Sequence, residues 1–493
     1  MQQNQIDLLK SQTVAPQQLF IDGKWQPGTG SQLEVTSPVD GAVITTIERA
    51  SRADMQAAIK AARQSFDDGR WADQTPGERK RVLLKLADLI QQNALELAVL
   101  GVRDNGTEIN MAINAEPGSA AATFRYYAEA IDKVYGEIAP TSANFLGLIH
   151  KQPVGVVGAI VPWNMPLMIG AWKLAPALAA GNSVVLKPAE EASLTLLRLA
   201  ELATEAGIPD GVFNVVTGQG SEVGEELALS MDVDVVVFTG SGNTGRRLLE
   251  YSARSNMKRC YLELGGKSAN IVFADAPDLD KAALGAAMAI FRNSGQICVS
   301  GSRLLVEHTI HNEFVAKVAQ HAENLRVGNP LNLNSQIGAI NSQRQLTSNL
   351  NFVAKAKQQG ADLVTGGEQI LQASGGYYMQ PTIFTGVEPH HHLAQSEVFG
   401  PVLGVTPFNN EAQAIALAND CHYGLAGAAW TSDLGRAHRM IKAVNTGGMY
   451  INTYGGADVT IPLGGIKQSG NGVDRSLHAM DKYINLKTAW IQL

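Results

Sequence analysis

A cysteine set among small and polar residues, with a glutamate a short distance upstream, has the makings of acyl chemistry carried on sulfur. Cys298 lies inside the run Phe291 to Arg303; Gly295 and Gly301 flank it, and Asn293, Gln296 and Ser300 surround it. A thiolate is a strong nucleophile, and an acyl group on sulfur passes readily to water. Glu263, in the stretch Leu262 to Lys267, is a carboxylate able to draw a proton from that water. The turn-rich run around Cys298 predicts a loop feeding a helix, where backbone N–H groups would point at the sulfur. Cys260 and Cys421 lack such surroundings and read as small buried hydrophobes.

A nucleotide fingerprint lies nearby. Gly240, Gly242 and Gly245 follow an apparent strand ending at Phe238 and open an apparent helix, which satisfies G-x-G-x-x-G. That fingerprint normally occupies the first βα turn of a dinucleotide domain, whereas here three expected strands precede it. The usual assignment would also make Glu263 the ribose acceptor and leave the thiol without its base.

The segments around Glu263 and Cys298 resemble the glutamate and cysteine active-site signatures of the NAD(P)-dependent aldehyde dehydrogenase superfamily. Further motifs similar to that family's follow in the expected order over nearly the whole chain: Pro162 to Pro166, Lys187 to Glu190, Phe238 to Ser241, Glu397 to Pro401 and Gly464 to Gly470. The resemblance implies an α/β fold with a Rossmann-type parallel-sheet NAD domain (1–129 and 150–262) and a second α/β catalytic domain (263–460). A small β oligomerisation arm (130–149 and 470–493) would join subunits into a dimer or tetramer. It also implies roles. Cys298 attacks an aldehyde, Asn164 and the backbone N–H of Cys298 hold the oxyanion, Glu263 activates water, and Lys173 is linked to proton movement. Lys187 and Glu190 hold the adenosine ribose, Gly240 and Ser241 face the pyrophosphate, Glu397 takes the nicotinamide ribose, and Trp163 and Phe399 belong to the same cofactor motifs. Glu190 would repel a 2′-phosphate, which favours NAD over NADP.

Some positions depart from the family pattern. Met165 and Leu463 stand where aromatic residues are frequent, and Val473-Asp474 stands in place of an Arg-Glu pair. Stretches at Ala130 to Gly136, Ser255 to Lys258, Lys467 to Gly472 and Ser476 to Ala479 look most like bacterial γ-glutamyl-γ-aminobutyraldehyde and aminoaldehyde dehydrogenases, whose neighbours also take aromatic or indolic aldehydes. By the same analogy Arg292 and Asp458 lie near the substrate tunnel. Arg292 would favour a distal carboxylate and Asp458 a distal amine, or the two would pair with each other. Two other classes stay open at this point: a catalytically silent binding relative, and a thiol esterase, which would leave Lys187, Glu190 and Glu397 without a purpose.

These residues need a scaffold, and the 493-residue chain is long enough for about three domains. From Val156 onward, short β-branched runs (Val156 to Val161, Ser183 to Leu186, Val212 to Val216, Val233 to Phe238) alternate with helical segments, the pattern of βαβ units on a parallel sheet. A second α/β region with strands near Ser302 to Glu307 and Pro401 to Pro407 should hold the thiol. Leu19 to Trp25 reads as a hairpin around Asp22-Gly23, and helices should start behind Ser51 and near Glu78. The apolar stretch Gly155 to Gly181 is long enough to suggest a membrane span, but Pro162, Pro166 and Pro176 favour a buried strand, a loop and a core helix. A net charge of −7 with no long basic block disfavours nucleic acid. Three cysteines and a polar start predict a reducing, cytoplasmic setting with no disulfide framework. The run His390 to His392 reads as a solvated turn, so no metal is expected.

Overall fold

Short β-branched runs become the parallel core of a seven-stranded sheet in the computed structural model, which describes residues 1–456 and 458–493. Its parallel strands lie in the order Phe213–Val215, Ser183–Lys187, Val156–Ile160, Val235–Thr239, Arg259–Glu263. The four that start at Val156, Ser183, Phe213 and Val235 are buried along their whole length, as expected where helices cover both faces. The strand order reverses between Val156–Ile160 and Val235–Thr239, and that switch point opens a crevice at the carboxyl ends of the strands.

The hairpin at the N-terminal end forms as expected. Leu19–Ile21 pairs with Lys24–Gln26, and Asp22 and Gly23, at φ 52° and 72°, take the left-handed geometry of a tight two-residue turn. The hairpin extends the sheet by pairing Phe20 with Val215. Ser51 caps the helix Arg52–Asp67 by accepting the Asp54 N–H, and Thr75 and Glu78 form a reciprocal capping box on Pro76–Gln92. The apolar stretch resolves into the Val156–Ile160 strand and the helix Pro166–Ala179, buried all round and only 14 residues long. Among the described residues no helix is long and apolar enough to cross a membrane.

A second seven-stranded sheet follows the order Asp362–Thr365, Thr382–Thr385, Val402–Phe408, Arg303–Glu307, Ala269–Val272, Ala426–Trp430, Gly448–Ile451; only the pairing of the first is antiparallel. A third sheet pairs Ile484–Gln492 with Phe145–Pro153 and that strand with Glu137–Ala139. Tyr126 and Tyr127 belong to the helix Ser119–Ala130, where Tyr127 is fully buried, so the pairing of this sheet starts only at Glu137. Asn471 to Tyr483 also stays outside it, and its backbone is stitched to the Arg259–Glu263 strand: Asn471 and Gly472 donate N–H bonds to the Leu262 carbonyl, and Leu264 donates to Ser469.

Candidate active site

The cysteine loop leaves the helix Leu279–Phe291 and runs into the strand Arg303–Glu307, not into a helix. Three consecutive left-handed residues, Asn293, Ser294 and Gly295, break the preceding helix in a tight turn. Gly295 lies so close to the Gly400 carbonyl that a Cβ has no room, which fixes this loop against the one carrying Glu397 and Phe399. The N–H groups that face the sulfur are therefore those of Val299 and Cys298 in the loop itself. They act against a larger effect. Burial, reinforced by the carboxyls of Glu263 and Glu397, pushes the Cys298 thiol up to about 12.

Glu263 ends its strand in a bridge with Gly470 and is buried, with Oε1 free of any hydrogen bond. Burial and then the neighbouring Asp474 carboxylate raise it well above the usual carboxylate range, against the pull of Lys173, Lys482 and Arg475. The two glycines that follow have a steric reason. Gly265 packs against the Glu397 carboxyl with no space for a Cβ, and a Cβ on Gly266 would sit 2.5 Å from the Cys298 carbonyl oxygen. The short motif after Glu263 thus brings three functional segments to one point.

Asn164 lies in the loop after the Val156–Ile160 strand, buried, and its Nδ2 donates to the Gln296 carbonyl at 2.8 Å, two residues before the thiol. The next helix is held by Glu116, whose Oε2 accepts the Met168 N–H at 2.7 Å. Lys173 on that helix is almost fully buried and forms an ion pair with Asp474, so it does not reach for solvent.

Cys298, Asn164, Trp163, Lys187, Glu190, Gly240, Ser241, Glu397 and Phe399 all border one cavity of about 490 Å³ at the switch point. Glu263 and Lys173 are not among its lining residues. Lys187 Nζ pairs with Glu190 Oε2 at 3.2 Å, and Glu190 Oε1 accepts the Gly220 N–H at 2.7 Å. Ser241 caps the helix Gly242–Ala253 through Thr244, leaving first-turn N–H groups to meet an anion. Glu397 Oε1 accepts the Gly266 N–H at 2.9 Å, and burial raises its carboxyl to about 7. Trp163 and Phe399 meet edge to face at 5.3 Å. An ammonium–carboxylate pair and an open helix N-terminus, set after strands of one parallel sheet, with a half-buried carboxyl from the loop before Val402–Phe408, fit the successive ribose, diphosphate and ribose of a dinucleotide.

Several contributors have no local signature in the sequence. Asp474, which reads as a departure, is the partner of both Lys173 and Lys482. Arg475 lies with its guanidinium over the Trp172 ring at 5.4 Å. Asp104, Glu108 and Glu116 are buried carboxyls on one stretch of chain, and each accepts a backbone N–H from a different site segment: Leu194, Asn293 and Met168. Acids at positions otherwise lined by apolar residues were the available signal. Asp458 directs Oδ1 to the Thr460 N–H and hydroxyl, and Arg292 lies against Gly455; no ion pair joins the two among the described residues. The histidine run departs from the solvated turn expected of it. Only His390 is exposed; His391 is buried with Nδ1 accepting the Glu388 N–H, and His392 stacks on Phe352 at 4.7 Å. Glu388, His390 and His391 bring ligand atoms within 4.8 Å of one another, away from the cavity lining.

Comparison with known proteins places this geometry. Residues 25–489 match the model of the Aldehyde dehydrogenase family. The chain is 48% identical over 476 residues to the NADP/NAD-dependent aldehyde dehydrogenase PuuC of Escherichia coli, covering 96% of this chain and 95% of that one. It superposes on a solved indole-3-acetaldehyde dehydrogenase complexed with NAD+ at a TM-score of 0.98, with 47% identity and full coverage of both chains. A solved γ-glutamyl-γ-aminobutyraldehyde dehydrogenase from Burkholderia cenocepacia gives the same TM-score of 0.98 at 45% identity, again with full coverage of both. The chain belongs to the aldehyde dehydrogenase family, NAD(P)-dependent oxidoreductases that act on aldehydes.

Proposed function

We propose that this chain oxidises an aldehyde to a carboxylic acid through a thioester on Cys298. The observation that carries the reading is that the thiol, the Asn164 amide and the dinucleotide-shaped cradle border one cavity. Cys298 gives up its proton to water and adds as the thiolate to the aldehyde carbon, and the resulting thiohemiacetal oxyanion lies between the Asn164 amide and the Cys298 backbone N–H. NAD, when bound, supplies the hydride acceptor. Lys187 and Glu190 hold its adenosine ribose, the helix end behind Gly240 and Ser241 its diphosphate, and Glu397 its nicotinamide ribose, with Trp163 and Phe399 walling the cleft. After hydride departs, the sulfur carries an acyl group; Glu263 takes a proton from water, the hydroxide equivalent adds to the acyl carbon, and the thiol is released. Lys173 is linked to the proton movement through its contact with Asp474.

NAD is preferred because Glu190 would face a 2′-phosphate, although its pairing with Lys187 leaves NADP admissible. The NAD domain comprises 1–129 and 150–262, the catalytic domain 263–460, and the arm 130–149 and 470–493. The exposed Ile138, Leu486 and Trp490 on the three-stranded sheet support its use in a dimer or tetramer. Three free cysteines suit a cytoplasmic setting. The substrates of the similar proteins, γ-glutamyl-γ-aminobutyraldehyde and indole-3-acetaldehyde among them, support an aminoaldehyde, γ-glutamylamino aldehyde, semialdehyde or aromatic aldehyde here. Absorbance of reduced nicotinamide with a panel of such aldehydes tests the reading; no reduction with any of them would overturn it.

A further inference from the structure

Asp474 is held between two lysines. Its Oδ2 takes the ammonium of Lys173 from the helix Pro166–Ala179, and its Oδ1 takes that of Lys482, at 2.6 Å, from the 3-10 segment Leu477–Tyr483. The Lys173 and Asp474 side chains are 1% exposed and that of Lys482 4%, so water screens none of these charges. One buried lysine would neutralise one buried aspartate; the second leaves the trio with an unbalanced positive charge. Such a charge is costly to bury unless something answers it.

Glu263 is the group placed to answer it. The backbone of 469–472 is hydrogen-bonded to the Glu263 strand, and Asp474 follows two residues later. The charged and titratable groups within reach of the Glu263 carboxyl are Asp474 and Arg475 from the tail, Lys482 from the 3-10 segment, Lys173 from the helix and the Cys298 thiol from its loop. With Glu263 protonated, the lysines and Asp474 carry a net positive charge; with Glu263 ionised, these four groups sum to zero, and Arg475, lying over the Trp172 ring, adds one positive charge in either state.

We infer that Lys482 is a positioning residue for thioester hydrolysis: together with Lys173 it surrounds Asp474 and supplies the positive charge against which Glu263 carries its negative one. The inference rests on Glu263 as the hydrolytic base. The Asp474–Lys173 pair alone would be neutral, leaving Arg475 as the remaining cation among these groups to face both carboxylates.

The test is the pH dependence of acyl-enzyme hydrolysis, measured after a burst of NADH formation that counts folded, cofactor-competent sites. Lys482→Met should move the alkaline-rising midpoint up by about one pH unit or more, the order expected for removing one nearby interior charge. Lys482→Arg should restore it. The double variant Lys482→Met with Asp474→Asn removes one charge of each sign, returns the trio to its wild-type sum of one positive charge, now from Lys173 alone, and should bring the midpoint back toward wild type. A purely structural lysine would make the double variant no better than the single one. An unchanged midpoint in Lys482→Met, or a double variant that tracks the single one, overturns the inference. Glu263→Gln is the parallel control: if it hydrolyses its acyl-enzyme as fast as wild type, the base assignment itself has failed.

Discussion

Glu397 is pressed against Gly265, and its Oε1 accepts the Gly266 N–H at 2.9 Å, so the carboxyl assigned to the nicotinamide ribose is seated by the motif that starts at Glu263. Gly265→Ala leaves no room for Glu397 where it stands. NAD should bind at least about tenfold more weakly, equivalent to roughly 1.4 kcal/mol, with the melting temperature little changed. Titration of NAD fluorescence quenching checks this; wild-type affinity would show that Glu397 does not hold the cofactor.

Glu190→Gln keeps an acceptor for the Gly220 N–H but removes the charge paired with Lys187. The ratio of kcat/KM for NADP to that for NAD should rise by about tenfold, as expected when a repulsion of about 1.4 kcal/mol disappears. An unchanged ratio would remove Glu190 from cofactor selection.

Because the Cys298 thiol is pushed up to about 12, it is protonated across the neutral range in the cofactor-free enzyme. Alkylation by iodoacetamide should rise roughly tenfold per pH unit from about pH 7 to pH 10, without a plateau, following the thiolate fraction. NAD+, with its cationic ring, should accelerate it at pH 7.5. Peptide mapping of the alkylated cysteine checks both points, and a plateau below pH 8 without cofactor would contradict the first.

That Cys298, Asn164 and the Lys187–Glu190 pair meet at one cavity was legible because each sits in a compact local motif, and alternating β-branched runs announced the parallel sheets. The missing parts depend on contacts distant in sequence. Lys173 and Asp474 are 301 residues apart, and no local pattern marks them as partners. The left-handed turn at Asn293, Ser294 and Gly295 that parts Cys298 from the preceding helix is held against Gly400, a contact distant in sequence. His391 is buried with its ring accepting a hydrogen bond from the Glu388 backbone, a pairing invisible in a run of three histidines.

The buried acids of the 104–116 stretch carry a stability signature. Burial raises Asp104 to about 7 and Glu116 to about 8, while unfolded carboxyls titrate near 4. The folded state therefore holds protons that the unfolded state has lost; this contribution is full below about pH 4 and declines as pH climbs through 7 and 8. The melting temperature should fall between pH 5 and pH 8. In Glu116→Gln, which keeps an acceptor for Met168, the fall should be shallower. Calorimetry across that range checks it, and identical slopes would show that Glu116 is not protonated in the fold.

The covalent thioester is tested most directly by mass spectrometry of Glu263→Gln after mixing with NAD and an accepted aldehyde. One equivalent of NADH per active site should form, and the peptide carrying Cys298 should gain the mass of one acyl group, which the double variant with Cys298→Ala lacks. Continued turnover of Glu263→Gln at the wild-type rate, or one equivalent of NADH with no acyl group on Cys298, would contradict the mechanism.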